Sequence, residues 1–218
     1  MTVGFLFDLD GTLLNTLEDL ADAVNYTLKY YDCPERTTEE VRQFIGNGAQ
    51  QLIRLSLPGK ETDPPVAEAL ATYQDYYAGH SQIKTCPYDG IPEALAKLGE
   101  KYPVAIVSNK PDRAVKLLCA DYFPGVPAVG EHAGCPRKPA PDMLLAAMKE
   151  IGVDACVYVG DSDVDVVTAK NAGVPCLSVL WGFRDRACME QEGNHYFCED
   201  PKAMPAMLET IAKEYYGK

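Results

Sequence analysis

The chain has 218 residues, 47% hydrophobic and 24% charged, which suits a globular protein with one sizeable core or a core plus a smaller module. Its 32 acidic and 20 basic residues leave a net charge of −12, which argues against nucleic acid or an anionic membrane as the main partner but not against a small anion bound in one locally positive cleft. No apolar stretch approaches the ~18 residues of a membrane span, and "MTVGFLFDLDG" turns acidic too early for a signal peptide, so a cytoplasmic protein is expected.

The first predicted element is "VGFLF" at 3–7, a continuous apolar run of strand length. It delivers Asp8 and Asp10 to its carboxyl end, followed at once by Gly11 and Thr12. Two carboxylates this close at the end of a buried strand are costly to desolvate and repel each other. A single Asp there would read as a helix cap. Two of them before Gly-Thr, with no immediate amphipathic helix, fit a divalent cation better, since Mg²⁺ typically binds one or two carboxylates together with substrate phosphate. An EF-hand calcium loop is a poor match, because its glycine comes sixth and follows a helix.

Residues 15 to about 84 carry helical spacing in "TLEDLADAVNYTLKYY", "TTEEVRQFI", "AQQLIRLSL" and "PPVAEALATYQDYYAGH", with no convincing strand between them. The simplest reading is a helical module (15–84) inserted into a core made of 1–14 and 85–218, with "KTCPYDG" at 84–90 as the return connection. Within the insertion, "FIGNGAQQ" sets Asn47 between two glycines at a predicted helix start. Free N–H groups there would favour an anion, and a plain interhelical turn reads equally well. Arg42 and Arg54 are read as solvated helix positions that could assist such a contact.

After residue 90 helices and strands alternate. Helices are predicted at 91–99, 111–121, 140–151 and 163–172, and strands at 104–108, 155–160 and 175–180, with weaker strands at 127–130 and 195–198. Uniformly apolar strands separated by helices predict an α/β fold, a Rossmann-like doubly wound parallel sheet covered on both faces. Ligands bind beyond the carboxyl ends of such strands. That edge gathers Asp8, Asp10, Ser108, Asn109 and Asp161, with Lys138 in the loop "RKPAPD". Each has a plainer reading: Asp161 as a helix cap, Ser108-Asn109 as a capped strand end, Lys138 as a surface lysine. Ser162 can take the cap, however, and Lys138 sits stiffly between Pro136 and Pro139. Asp165 falls one helical turn after Asp161 on the same face, suited to supporting it from behind. The eight cysteines lack any CxxC pair and several sit in apolar runs, as buried thiols do in a reducing compartment. His132 and Cys135 would make half a zinc site, and no second half is near.

Taken in order, "DLDGT", "SN" after a strand, the lysine of "KPAPD" and "GDSDVD" resemble the four motifs of the haloacid dehalogenase-like hydrolases across the whole core. The inserted helices resemble the cap of the subgroup containing phosphoglycolate phosphatases, as do "DLDGTLLNTLEDLADAVNYTL", "IGNGAQQLI" and "SNKP". The resemblance implies a phosphatase in which Asp8 attacks phosphorus and Asp10 shuttles the proton. It implies Mg²⁺ held by an Asp8 side-chain oxygen, the Asp10 backbone carbonyl and Asp161. Ser108, Asn109, Lys138 and the N–H groups around Gly11-Thr12 would hold the phosphoryl group, and Asn47 is the candidate for touching the leaving group. The implied partner is a small phosphate ester, 2-phosphoglycolate foremost, handled by a monomer or homodimer; a pyrophosphatase or a phosphosugar mutase would use the same core. A phosphoacceptor signalling module gathers similar groups, but it has neither an acid two residues after the acceptor Asp nor a helical insertion. A regulatory binding protein that has kept the fold is the remaining alternative.

Overall fold

The computed structural model describes residues 1–59 and 64–217, so residues 60–63 of the predicted insertion and residue 218 lie outside the described residues. The chain enters as β1 (Val3–Phe7), makes a short β2 (Leu14–Asn15), and then runs through four helices. These are α1 (Leu17–Tyr30), α2 (Thr38–Phe44), α3 (Gly48–Ser56) and α4 (Val66–His80). It returns through β3 (Cys86–Pro87), which pairs antiparallel with β2. That two-residue ribbon escaped the sequence reading because two residues carry no periodicity; it ties together the exit and the re-entry of the helical segment.

The alternating part follows as α5 (Ile91–Gly99), β4 (Val104–Pro111), α6 (Asp112–Tyr122), β5 (Ala128–Glu131), α7 (Asp142–Glu150) and β6 (Ala155–Gly160). It ends with α8 (Asp163–Ala172), β7 (Cys176–Val179), α9 (Arg186–Gln191), β8 (Phe197–Cys198) and α10 (Met204–Tyr216). Helices α9 and α10 add to those predicted, and β4 runs on past Ser108 to Pro111. Six strands form one sheet in the order β5-β4-β1-β6-β7-β8, every neighbouring pair parallel. The order reverses direction at β1, and such a switch point opens a crevice at the strand ends.

Side chains alternate across the sheet as a pleated strand requires. Phe5, Phe7, Ile106, Val157 and Val159 pack with α5, α6 and α10 on one face. Leu6, Val107, Cys156 and Tyr158 pack with α7 and α8 on the other. With both faces covered, each strand is buried on both sides, which explains its unbroken apolar sequence. A third apolar cluster joins Leu20, Val24, Leu28, Val41, Leu52, Ile53 and Tyr73 of α1–α4 with Phe183, which follows β7. Among the described residues no helix is long and apolar enough to cross a membrane.

Candidate active site

Register sets the site. Phe7 lies level with Ile106 on one side and Val159 on the other, so Asp8, Ser108 and Asp161 all emerge within a residue or two of the same edge. Asp8 is 8% exposed and Asp161 2%. One carboxylate oxygen from each of Asp8, Asp161 and Asp165 lies within 4.8 Å of the others, a set that can hold a metal ion.

Asp161 is braced from two directions. Thr12 Oγ1 donates to its Oδ1 at 3.0 Å and the Phe183 N–H donates to its Oδ2 at 2.7 Å. Gly11 adopts φ +82°, and a Cβ there would overlap the Asp161 carboxylate, so glycine is required on both counts. Asp165 stands behind. Its Oδ2 accepts from the Ser162 hydroxyl (2.6 Å) and Ser162 N–H (3.2 Å), forming the reciprocal cap of α8. Its Oδ1 accepts from Lys138 Nζ (2.8 Å) and from the Tyr158 hydroxyl (3.2 Å). Both oxygens are thus committed, which suits support better than ligation.

Lys138 is 2% exposed, and its ammonium also stands 2.8 Å from Asp8 Oδ1. That approach is a close ion pair, so Asp8 Oδ1 is buried with the Lys138 ammonium as its partner. Burial alone would lower the Lys138 pKa, but Asp165 and Asp8 outweigh it and hold the ammonium above its ordinary range. For Asp8, burial dominates and lifts the carboxyl well above the usual range; Lys138 opposes this, while Asp165 and Asp161 add to it. Asp161 is pushed up to about 7 by burial and by Asp165, against the Phe183 N–H and the Thr12 hydroxyl. Burial and neighbouring carboxylates work against ionised Asp8 and Asp161, and a divalent cation held there would supply the missing positive charge. The donor set, three buried carboxylates with oxygens close together, fits such an ion.

Asp10 is handled differently. Its Oδ1 accepts from Thr16 Oγ1 (2.7 Å) and from Lys110 Nζ (2.8 Å), and its Oδ2 also accepts from Lys110 (3.0 Å). Lys110 is nearly buried and lies 4.8 Å from the centre of the Tyr77 ring on α4. The sequence reading missed Lys110, although "SNKP" placed it two residues beyond Ser108; β4 runs on to Pro111 with a register irregularity after Val107, and Lys110 reaches Asp10 from this stretch.

Ser108 lines the cleft, and its Oγ accepts from the Lys110 N–H, leaving its own proton for an anion. The Asn109 side chain is spent on positioning: it accepts from Lys138 N–H (2.8 Å) and donates to the carbonyls of Lys138 (2.9 Å) and Gly46 (3.0 Å). Two expectations are corrected here. The Gly11 N–H donates to Leu14 O (2.8 Å) and the Thr12 N–H to Leu9 O (3.3 Å), closing a turn rather than facing a phosphate. The Leu9 and Asp10 N–H groups, by contrast, find no acceptor among the described residues. Asn47 is exposed and does not line the cleft, whereas its neighbours Gly46 and Gly48 do. Arg42 and Arg54 also lie outside the cleft.

The cleft encloses about 340 Å³ between the strand ends and α1–α4, and its outer wall includes Leu20, Ile45, Leu52, Tyr73, Tyr77 and Phe183. Arg113 and Arg184 also line it. Acids, hydroxyl, lysine and a roofed chamber together can bind a phosphate ester beside a cation.

Comparison with known proteins agrees. The haloacid dehalogenase-like hydrolase family matches residues 5–179. A phosphoglycolate phosphatase of Pseudomonas putida is 34% identical over 212 residues, spanning 91% of this chain and 77% of that protein. One from Mesorhizobium japonicum is 33% identical over 198 residues, spanning 86% of each. A solved structure from Lactobacillus delbrueckii subsp. bulgaricus superposes with a TM-score of 0.85 at 34% identity, covering 94% of this chain and 98% of that one. By sequence, fold and site the chain belongs to the haloacid dehalogenase-like hydrolase family and is a phosphatase within it.

Proposed function

We propose that the chain is a Mg²⁺-dependent phosphatase that hydrolyses a small phosphate monoester, 2-phosphoglycolate first among them, through an aspartyl-phosphate on Asp8. The observation that carries this reading is the buried set Asp8, Asp161 and Asp165, paired among the described residues with the single cation Lys138. Asp8 and Asp161 side-chain oxygens and the Asp10 carbonyl would hold the ion, which when bound supplies the charge that lets an ionised Asp8 meet an anionic ester.

Asp8 attacks phosphorus as its P–O bond to the leaving alcohol breaks, and Asp10 gives that oxygen a proton. In the second half Asp10 takes a proton from water, whose oxygen displaces Asp8 and releases phosphate. Ser108 Oγ, Lys138 Nζ and the Leu9 and Asp10 N–H groups orient the phosphoryl oxygens. Helices α1–α4, the cap over a core of 1–14 and 85–218 in this reading, exclude water from the cleft. Support for 2-phosphoglycolate comes from the activity named for the relatives, and Arg113, which lines the cleft, is a cation that can meet its carboxylate. The net charge of −12 supports a small-molecule partner over nucleic acid or membrane, and the buried thiols Cys119, Cys156 and Cys176 support a reducing, cytoplasmic setting.

The test is phosphate release with Mg²⁺ from a panel including 2-phosphoglycolate, pyrophosphate and hexose phosphates. Asp8→Asn is expected to abolish turnover while remaining folded by circular dichroism, and EDTA to silence the wild type. Near-normal turnover of Asp8→Asn would sink the assignment, and equal slow turnover of every panel member would remove the case for 2-phosphoglycolate.

A further inference from the structure

Residues Gly182 to Arg184 touch both the metal-site acids and the helical segment. The Phe183 N–H is bonded to Asp161 Oδ2 at 2.7 Å. Its carbonyl accepts from Arg42 Nη1, on α2, at 2.7 Å. Its ring, 5% exposed, is packed in the apolar cluster of α1–α4. One residue is therefore held at its amide by the acid site and at its carbonyl and side chain by the helices above.

Arg184 reinforces the same junction. Its guanidinium donates to Arg42 O (2.8 Å), Gln43 O (3.1 Å) and Ile45 O (2.7 Å). These carbonyls lie at the end of α2, where the last turn leaves acceptors without intrahelical donors and where positive charge is favoured. The forked guanidinium reaches all three oxygens at once. Arg42 is in turn held by Glu39 at 2.7 and 2.8 Å, which orients its guanidinium toward the Phe183 carbonyl. On the other side no slack is available: a Cβ on Gly182 would overlap Asp161.

We infer that this segment links ion binding at Asp161 to the seating of α1–α4 over the cleft, with Phe183, Arg184 and Arg42 as positioning residues. The inference rests on Asp161 being a metal ligand. If the helices lift away, Phe183 loses its apolar surroundings and the Arg42 bond, and the N–H that orients Asp161 Oδ2 is no longer held. By reciprocity, an ion that fixes Asp161 holds Phe183 in place and favours the seated helices.

The test uses the whole protein and Mg²⁺ alone. Isothermal titration is expected to give Mg²⁺ binding about fivefold or more weaker in Arg42→Met and in Arg184→Met than in the wild type, a coupling of ordinary size. Leu208→Ala, buried in α10 and outside the α1–α4 cluster, should melt earlier yet bind Mg²⁺ like the wild type. Hydrogen exchange at residues 45–50 should slow on adding Mg²⁺ to the wild type and change little in Arg184→Met. Wild-type Mg²⁺ affinity in both folded arginine variants, or equal weakening in Leu208→Ala, would overturn the inference while leaving the metal site standing. Equal Mg²⁺ binding by Asp161→Asn and wild type would overturn the metal-site reading, and this inference with it.

Discussion

Stripping the protein of metal and raising the pH should destabilise it, and the size of the effect follows from the acid cluster. Burial and Asp165 push Asp161 up to about 7 from an ordinary 3.8. A carboxyl whose folded pKa is raised contributes stability that is present below the unfolded pKa and lost as pH rises through the folded one. Between about pH 5 and 7.5, Asp161 alone should therefore remove about 2 to 3 kcal/mol, a large share of a typical 5–15 kcal/mol. Asp8, also raised by burial, adds to the loss. Lys138 adds no slope there, because its raised pKa keeps it charged throughout. The exposed Glu39, lowered to about 2 by hydrogen bonds from Arg42 and Gln43, acts only at more acidic pH. Urea denaturation in EDTA at the two pH values measures the fall. Asp161→Asn should fall less, since its amide can donate to Thr12 Oγ1 while its carbonyl accepts from Phe183. Saturating Mg²⁺ should stabilise the wild type more at the higher pH, where protons no longer compete. A metal-free wild type whose stability is flat or rises over this range, or an Asp161→Asn protein that falls just as steeply, would refute the account of the cluster.

Two further outcomes are expected. Lys138→Met leaves Asp8 and Asp165 buried without their counter-charge, and should cost about 3–5 kcal/mol in urea denaturation; a loss under about 1 kcal/mol would mean that the ammonium is not what makes the cluster tolerable. Lys110→Met leaves Asp10 only its Thr16 bond, so kcat should drop, but by less than the about 10²–10⁴-fold expected of Asp10→Asn. An undiminished kcat in Lys110→Met would show that Lys110 does not orient the proton shuttle.

What the sequence by itself determined is the scaffold and the chemistry carried on it. Strands buried on both faces must be uniformly apolar, so "VGFLF", "VAIVS" and "ACVYVG" announced a parallel sheet, and the polar residues ending them announced its functional edge. Asp8, Asp161 and Ser108 were legible for that reason: their positions follow from where a strand stops. Lys138 came from its motif, and Asp165 from one turn of helix.

Tertiary structure decided the rest, because it depends on pairs distant in the chain. Lys110 meets Asp10 across 100 residues, and Phe183 meets Asp161 while its ring joins helices more than 100 positions earlier. No local period encodes such meetings. Which N–H groups remain for an anion was equally hidden, since those of Gly11 and Thr12 are consumed by a turn visible only in three dimensions. Asn47 shows the same limit: a glycine-flanked helix start predicts free donors, but only the packing of α3 decides that its neighbours, and not its side chain, face the cleft.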